Sequence, residues 1–350
     1  MLNRVIACTS LVLWVVLWVV LLVVLPACST ATSDSGESDT VGVVDASQTS
    51  DVPVAPDVAD PEDAAIPDVL EVPDVPETGP DVAPEPDVPE GPECGDEVLD
   101  SASISGTEGL SIAPDGTVYY SQTGGVGRRL PGEAADSSWL SLPGASTVWG
   151  LALRADGALF VASPSNGTIY RVDTTASPPT VSVATSSAGQ PNGLIVGPDE
   201  AVYYSDFGGG HVYRLADGGE PAAVTASLMS QPNGLLFDPD GTLLVLEYSK
   251  GAVWRLTLDA GMVETDRGLE TNIPGSALDG IGRDDSGRYL LTDNGGGRLL
   301  RLDATFDHQE VLLTGVSAAA NLAFGRGALS CDDIYVTSAG ALARYDTSGD

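Results

Sequence analysis

The chain has 350 residues, with 50 acidic residues against 15 basic ones, a formal net charge of −35 and a single Lys. A field of that sign repels phosphate backbones and anionic bilayers, which excludes nucleic-acid binding and membrane-surface binding as functions. With 41 Gly, 5 Phe and 3 Met, the composition opposes a helical bundle and favours a turn-rich all-β architecture.

Arg4 precedes an apolar stretch over residues 5–25, broken only by Cys8, Thr9 and Ser10, which ends in Leu25-Pro26-Ala27-Cys28. This resembles the lipobox of bacterial lipoprotein signal peptides, although Pro26 is an uncommon occupant of its position. The resemblance implies that residues 1–27 leave as a signal peptide and that Cys28 takes the lipid. The other reading is an uncleaved transmembrane anchor, since about 20 apolar residues span a bilayer. Either places the rest of the chain outside the inner membrane. Ser29 after the Cys, by resemblance to Gram-negative lipoproteins, implies the outer membrane of a bacterial cell envelope, with membrane contact through the lipid alone.

Residues 29–93 repeat phrases such as Asp51-Val52-Pro53 and Pro67-Asp68-Val69, with 18 acids, 11 prolines and no Lys, Arg, Phe, Tyr or Trp. Such a tract buries too little apolar surface to offset its ordering entropy, and its like charges push it open. Residues 28–93 are therefore expected to be a lipidated, disordered tether with a coil reach of about 50 Å.

A period appears after Cys94. Six phrases match: Glu108-Gly109-Leu110, Trp149-Gly150-Leu151, Asn192-Gly193-Leu194, Asn233-Gly234-Leu235, Asp279-Gly280-Ile281 and Asn321-Leu322-Ala323, at spacings of 41, 43, 41, 46 and 42 residues. Each opens a short apolar strand. A turn such as Pro114-Asp115-Gly116 or Pro239-Asp240-Gly241 follows, then a second apolar strand, then a third carrying an aromatic or apolar residue before Arg, as in Tyr170-Arg171 and Tyr213-Arg214. With a variable fourth strand, the repeat predicts a six-bladed β-propeller over residues 94–350. The sixth unit runs out after three strands, so residues 96–100 are expected to supply its fourth and close the ring. Once Cys8 leaves with the signal and Cys28 is lipidated, Cys94 and Cys331 remain. Both fall on the face opposite the blade entrances, and in an oxidising compartment they are expected to pair.

In such a ring the residue opening each blade faces a common channel mouth, here Glu108, Trp149, Asn192, Asn233, Asp279 and Asn321. Two carboxylates and three carboxamides offer hard oxygen ligands, which suit Ca²⁺ or Mg²⁺. A single Pro-Asn-Gly phrase reads equally as turn chemistry. The recurrence of polar acceptors at this one place in the repeat, Trp149 excepted, favours a site. Loops between second and third strands are expected at the same mouth, bringing Asp206, Glu247, Tyr248, Lys250, Asp293 and Asn294. His211 and His308 lack an evident partner and read as surface residues, and no Ser lies in a Gly-x-Ser-x-Gly turn.

At these residues the sequence resembles the senescence marker protein, gluconolactonase and luciferin-regenerating enzyme family of six-bladed propellers. The resemblance implies one divalent cation, Ca²⁺ ahead of Mg²⁺, Mn²⁺ or Zn²⁺, held by Glu108, Asn192, Asn233 and Asp279. It also implies hydrolysis of a lactone, with Asp279 as the general base. The family places an Arg two residues before the blade-three Asn, where this chain has Gln190, and a Glu in the following loop, where this chain reads Asp206-Phe207-Gly208-Gly209-Gly210. The resemblance thus keeps the metal ligands and changes the sugar contacts, leaving Trp149, Gln190, Tyr248 and Asn321 as candidate substrate contacts. Two functions follow: a monomeric, metal-dependent hydrolase of a small lactone or ester, or a non-catalytic, surface-displayed binding propeller with a structural metal.

Overall fold

The structure is a computed structural model that describes residues 94–100, 104 and 108–349. The lipobox with Cys28 and the acidic tract lie outside these residues. Among the described residues no helix is long and apolar enough to cross a membrane.

The repeat folds as six antiparallel sheets, each built in chain order from the channel outward. Blade one comprises Leu110–Ile112, Val118–Gln122, Gly125–Arg129 and Asp136–Ser141, and blade two comprises Leu151–Leu153, Ala158–Ser163, Thr168–Asp173 and Thr180–Thr185. Blade three runs through Pro191–Val196, Val202–Asp206, His211–Leu215 and Ala222–Ala223, and blade four through Pro232–Phe237, Leu243–Glu247, Ala252–Leu258 and Glu264–Asn272. Blade five is Leu278–Arg283, Tyr289–Asp293, Arg298–Leu302 and Gln309–Thr314, and blade six is Leu322–Phe324, Asp333–Ser338 and Ala341–Asp346. The protein is an all-β six-bladed β-propeller.

The second strand of each blade is packed on both faces, which is why Val202–Asp206 and Leu243–Glu247 are buried along their whole length. Side chains alternate between the two neighbouring blades with the strand period of two. Tyr119 enters the layer between blades one and two, whereas Val118 and Tyr120 enter the layer between blades six and one. The core is therefore six layers between blades. Outer strands such as Gln309–Thr314 stay largely exposed.

The expected fourth strand of blade six is not formed by residues 96–100. Glu97 makes a parallel bridge to Leu329, in the turn between the first two strands of the blade, and Gly95 N–H donates to Gly327 C=O at 2.6 Å. The chain then enters the seam between blades six and one, where Leu99 is fully buried, Ile104 is buried beside it, and the Leu99 N–H donates to the Tyr335 hydroxyl at 3.3 Å. Burying two aliphatic side chains in the seam is worth about 1.5–3 kcal/mol each. An outer strand leaves much of its side-chain surface in water. Glu97 also pairs with Arg129 of blade one. The ends of the ring are joined through this wedge and through a Cys94–Cys331 disulfide with Cα atoms 5.6 Å apart.

Candidate metal centre and active site

Gly follows the opening residue in five of the six blades, for a steric reason. A Cβ on Gly109, Gly150, Gly193 or Gly234 would overlap the backbone carbonyl of the next blade's opening residue: Trp149, Asn192, Asn233 and Asp279 respectively. Only Gly lets the inner strands crowd the axis closely enough to bring those residues together. Second-strand hydroxyls then fix them. Ser121 Oγ accepts from Glu108 N–H and Gly109 N–H at 2.9 Å each, and Ser205 Oγ accepts from Gly193 N–H at 2.9 Å. Thr337 Oγ1 accepts from Asn321 N–H at 2.9 Å and donates to the Glu108 carbonyl, stitching blade six to blade one.

The result is a cavity of about 180 Å³ at the channel mouth, lined by Glu108, Asn192, Asn233, Asp279 and Asn321. Asn192, Asn233 and Asp279 are buried. No Lys or Arg is among the lining residues. Burial pushes the Asp279 carboxyl up to about 7, opposed by hydrogen bonds from Asn233 and Asn294. Burial, and then the neighbouring Asp279 charge, hold Glu108 well above the usual carboxylate range. Two carboxyls in so dry a place are stable together only if one is protonated or a cation joins them.

Trp149 stands apart from the other five opening residues. Its ring does not line the cavity and instead meets Phe207 edge to face, centroids 6.0 Å apart. Asn321 lines the cavity, but its Oδ1 accepts from Leu322 N–H at 2.7 Å, so that oxygen is committed to the backbone. Gln190 lies beneath the blade-three loop, its Oε1 against Gly208 and its carbonyl accepting from Phe207 N–H at 3.0 Å. Tyr248 reaches the site through a relay that sequence reasoning missed. Its hydroxyl donates to Asn294 Oδ1 at 2.9 Å, and Asn294 Nδ2 donates to Asp279 Oδ2 at 3.2 Å. The signal available was a polar residue directly after Asp293 in a loop expected at the mouth.

Three other loop acids do not belong to the site. Asp206 Oδ1 accepts from Gln190 N–H and Gly209 N–H, Asp293 Oδ1 from Ala277 N–H and Gly296 N–H, and Glu247 from Ser230 N–H and Trp254 Nε1–H. These buried carboxylates satisfy backbone donors where the chain enters each blade. Lys250 is exposed on the 3₁₀ turn Tyr248–Lys250. Both histidines have partners after all: His211 Nδ1 lies 2.9 Å from Thr225 Oγ1 and His308 Nδ1 lies 2.8 Å from Asp303 Oδ2. Neither lines the cavity.

Among the described residues no group of three or more His, Cys, Asp or Glu gathers as a ready metal cluster. The set at the mouth is two carboxyls and two carboxamides, Glu108, Asp279, Asn192 and Asn233. Such an all-oxygen set, without a cationic neighbour, fits a hard divalent ion of the Ca²⁺ or Mg²⁺ type and is a poor one for Zn²⁺.

Residues 205–340 match the family described as SMP-30/Gluconolactonase/LRE-like region. No curated protein sequence matches the chain. Among solved structures, a gluconolactonase from Xanthomonas campestris is 21% identical with a TM-score of 0.57, over 71% of this chain and 87% of that one. The calcium-binding protein regucalcin from Agrobacterium tumefaciens is 17% identical with a TM-score of 0.58, over 72% and 94%. Virginiamycin B lyase from Staphylococcus aureus is also 17% identical, with a TM-score of 0.53 over 72% and 88%. At these identities the structures share the fold. The family match begins in the second strand of blade three and ends after the second strand of blade six, with Asn233 and Asp279 inside it and Glu108 and Asn192 outside it, and the chain is thus a six-bladed β-propeller carrying an SMP-30/gluconolactonase/LRE-like region.

Proposed function

We propose that the propeller is a divalent-cation-dependent hydrolase of a lactone or related small ester. The observation that carries this reading is the Glu108–Asp279 carboxyl pair, held with Asn192 and Asn233 in a cavity that has no basic side chain. The match of residues 205–340, which hold Asn233 and Asp279, to a gluconolactonase-like region supports it. When bound by these four residues, the cation supplies polarisation of the ester carbonyl and charge for the developing oxyanion. Asp279 takes the proton of the attacking water as the water oxygen bonds to the acyl carbon. The ring C–O bond then breaks, and that proton passes to the departing alkoxide to leave a hydroxy acid. Asn294 holds the Asp279 carboxylate in one orientation, and Tyr248 holds Asn294.

The propeller acts as a monomer at the bacterial cell envelope, held to the outer membrane by lipid on Cys28 and spaced from it by the acidic tract. The support for this placement is the sequence before and after Cys28. The test is a panel of lactones and simple esters given to the full chain, with Ca²⁺ and after chelation. Turnover that disappears on chelation and returns with Ca²⁺ is the expected result. A protein that binds the ion and hydrolyses nothing on the panel is instead a binding propeller with a structural metal.

A further inference from the structure

Trp149, Phe207 and Tyr248 form a continuous aromatic arc beside the carboxyl pair. The Trp149 and Phe207 rings meet at 6.0 Å and the Phe207 and Tyr248 rings at 5.6 Å, both with interplanar angles of 69°. The three come from blades two, three and four, and each is partly exposed. The arc is continuous with the candidate centre, because the Tyr248 hydroxyl reaches Asp279 through Asn294. The charges of Asp279 and Glu108, after burial, help to raise the Tyr248 hydroxyl.

The rings stand on backbone that is tied down. Trp149 N–H donates to Ala162 C=O, Phe207 N–H to Gln190 C=O and Tyr248 N–H to Gln231 C=O, each at 3.0 Å. Asp206 further braces the Phe207 loop by accepting from Gly209 N–H at 2.9 Å. A group laid on such a wall pays little to order it.

Resting on the hydrolase reading, we propose that the substrate is a neutral lactone or ester carrying an aromatic-sized apolar group, which lies against Trp149, Phe207 and Tyr248 while its carbonyl faces Glu108 and Asp279. The charge of the site points the same way. With a divalent cation the two carboxyls make a near-neutral mouth, and no lining Lys or Arg is there to pair with an anionic group, so the site favours a neutral substrate. A polyhydroxylated ring needs a polar partner for each hydroxyl, which three aromatic rings do not supply.

The test compares a six-membered lactone with and without a phenyl substituent, together with glucono-δ-lactone, using the full chain and Ca²⁺. Calorimetric titration with the two corresponding lactams, which resist hydrolysis, reads binding separately. The phenyl lactone is expected to exceed the unsubstituted one in kcat/KM by about tenfold or more, the scale of one buried aromatic contact. Phe207→Ala should bring that ratio to within about twofold, while Phe207→Leu, which keeps apolar bulk, should retain most of it. A loss of folding would lower both rates and leave the ratio in place. A wild-type ratio near one, a ratio unchanged in Phe207→Ala, or a preference for glucono-δ-lactone overturns the wall and leaves the hydrolase reading standing. Tight binding of the phenyl lactam, lost in Phe207→Ala, with no lactone turned over, upholds the wall and overturns the hydrolase reading. Neither turnover nor lactam binding overturns both.

Discussion

Asp279 is where the residue-scale argument is sharpest, because its environment sets both a rate and a stability. As a base and ligand it must be ionised, so proton and cation compete for it, and at limiting Ca²⁺ turnover should fall as pH drops while saturating Ca²⁺ offsets the loss. Asp279→Asn keeps an oxygen ligand and removes the base. Turnover should fall by about 100- to 10,000-fold in a variant that still melts cooperatively. The cation-free protein gives an independent readout. Its Asp279 carboxyl binds a proton more tightly folded than unfolded, so the folded state holds the extra proton between the ordinary value of 3.8 and about 7. Stability is therefore greatest below pH 4 as far as this group is concerned, and declines as pH rises toward 7. Thermal melts of the chelated protein should show that decline, flattened in Asp279→Asn and reversed in the wild type by Ca²⁺. A chelated wild type whose melting temperature is level across this window would contradict the buried-pair reading.

In blades two, three and four, the turn joining the first two strands and the Arg of the third strand form one unit. Arg214 Nε pairs with Asp199 at 2.6 Å, Arg255 with Asp238 at 2.6 Å, and Arg171 with Asp156 at 3.7 Å. The aromatic-Arg phrase was visible in the sequence. Its purpose was not, because a strand-three residue meets the strand-one turn only after the sheet forms. The same turn exposes a local weakness. Gly116 and Gly241 take φ of 90° and 85° there, while blade three places Glu200 at φ 62°. A non-Gly residue in that left-handed region costs about 1–2 kcal/mol, partly offset by the smaller entropy of its unfolded chain. Glu200→Gly should therefore stabilise the protein by up to about 1 kcal/mol, read from the denaturant midpoint at constant m. A lower midpoint would show that the added entropy of the unfolded chain outweighs the relieved backbone strain.

At the scale of the whole molecule, the ring is closed by the seam segment and by the Cys94–Cys331 bond, which spans 237 residues. In the chain-entropy account so long a loop contributes about 5.5 kcal/mol. The Cys94→Ser, Cys331→Ser double variant should unfold at lower denaturant, by an amount comparable to that figure. Thiol titration of the unfolded, unreduced and delipidated protein should find neither cysteine free, and two reactive thiols would remove the bridge from the account. The opposite end of the chain makes a separate prediction. Cys28→Ser should shift the protein from the membrane fraction to the soluble one or leave the leader uncleaved, and a variant that partitions and migrates as the wild type does would end the lipid-anchor reading.

The number of blades, their order and the residues that open them were legible in the sequence, because a propeller repeats one local grammar: a spacing near 43, a turn needing positive φ, and a Gly where the next blade's carbonyl would strike a Cβ. Charge and composition argue against whole classes of function for an equally local reason, since they sum over residues without regard to where each one lies. Contacts between repeats were beyond that grammar. Trp149 occupies the same register as five cavity-lining residues, yet its ring turns to Phe207, a residue from another blade's loop. Asn294 was expected at the mouth, but its bond to Tyr248 exists only once blades four and five have met. Residues 96–100 had the length and pattern of a strand, but Leu99 gained more by filling a seam that exists only once blades six and one have met. Period and sterics act within one repeat and can be read along the chain, whereas the burial that raises Asp279 and the wall beside it arise from pieces of several blades converging on one axis.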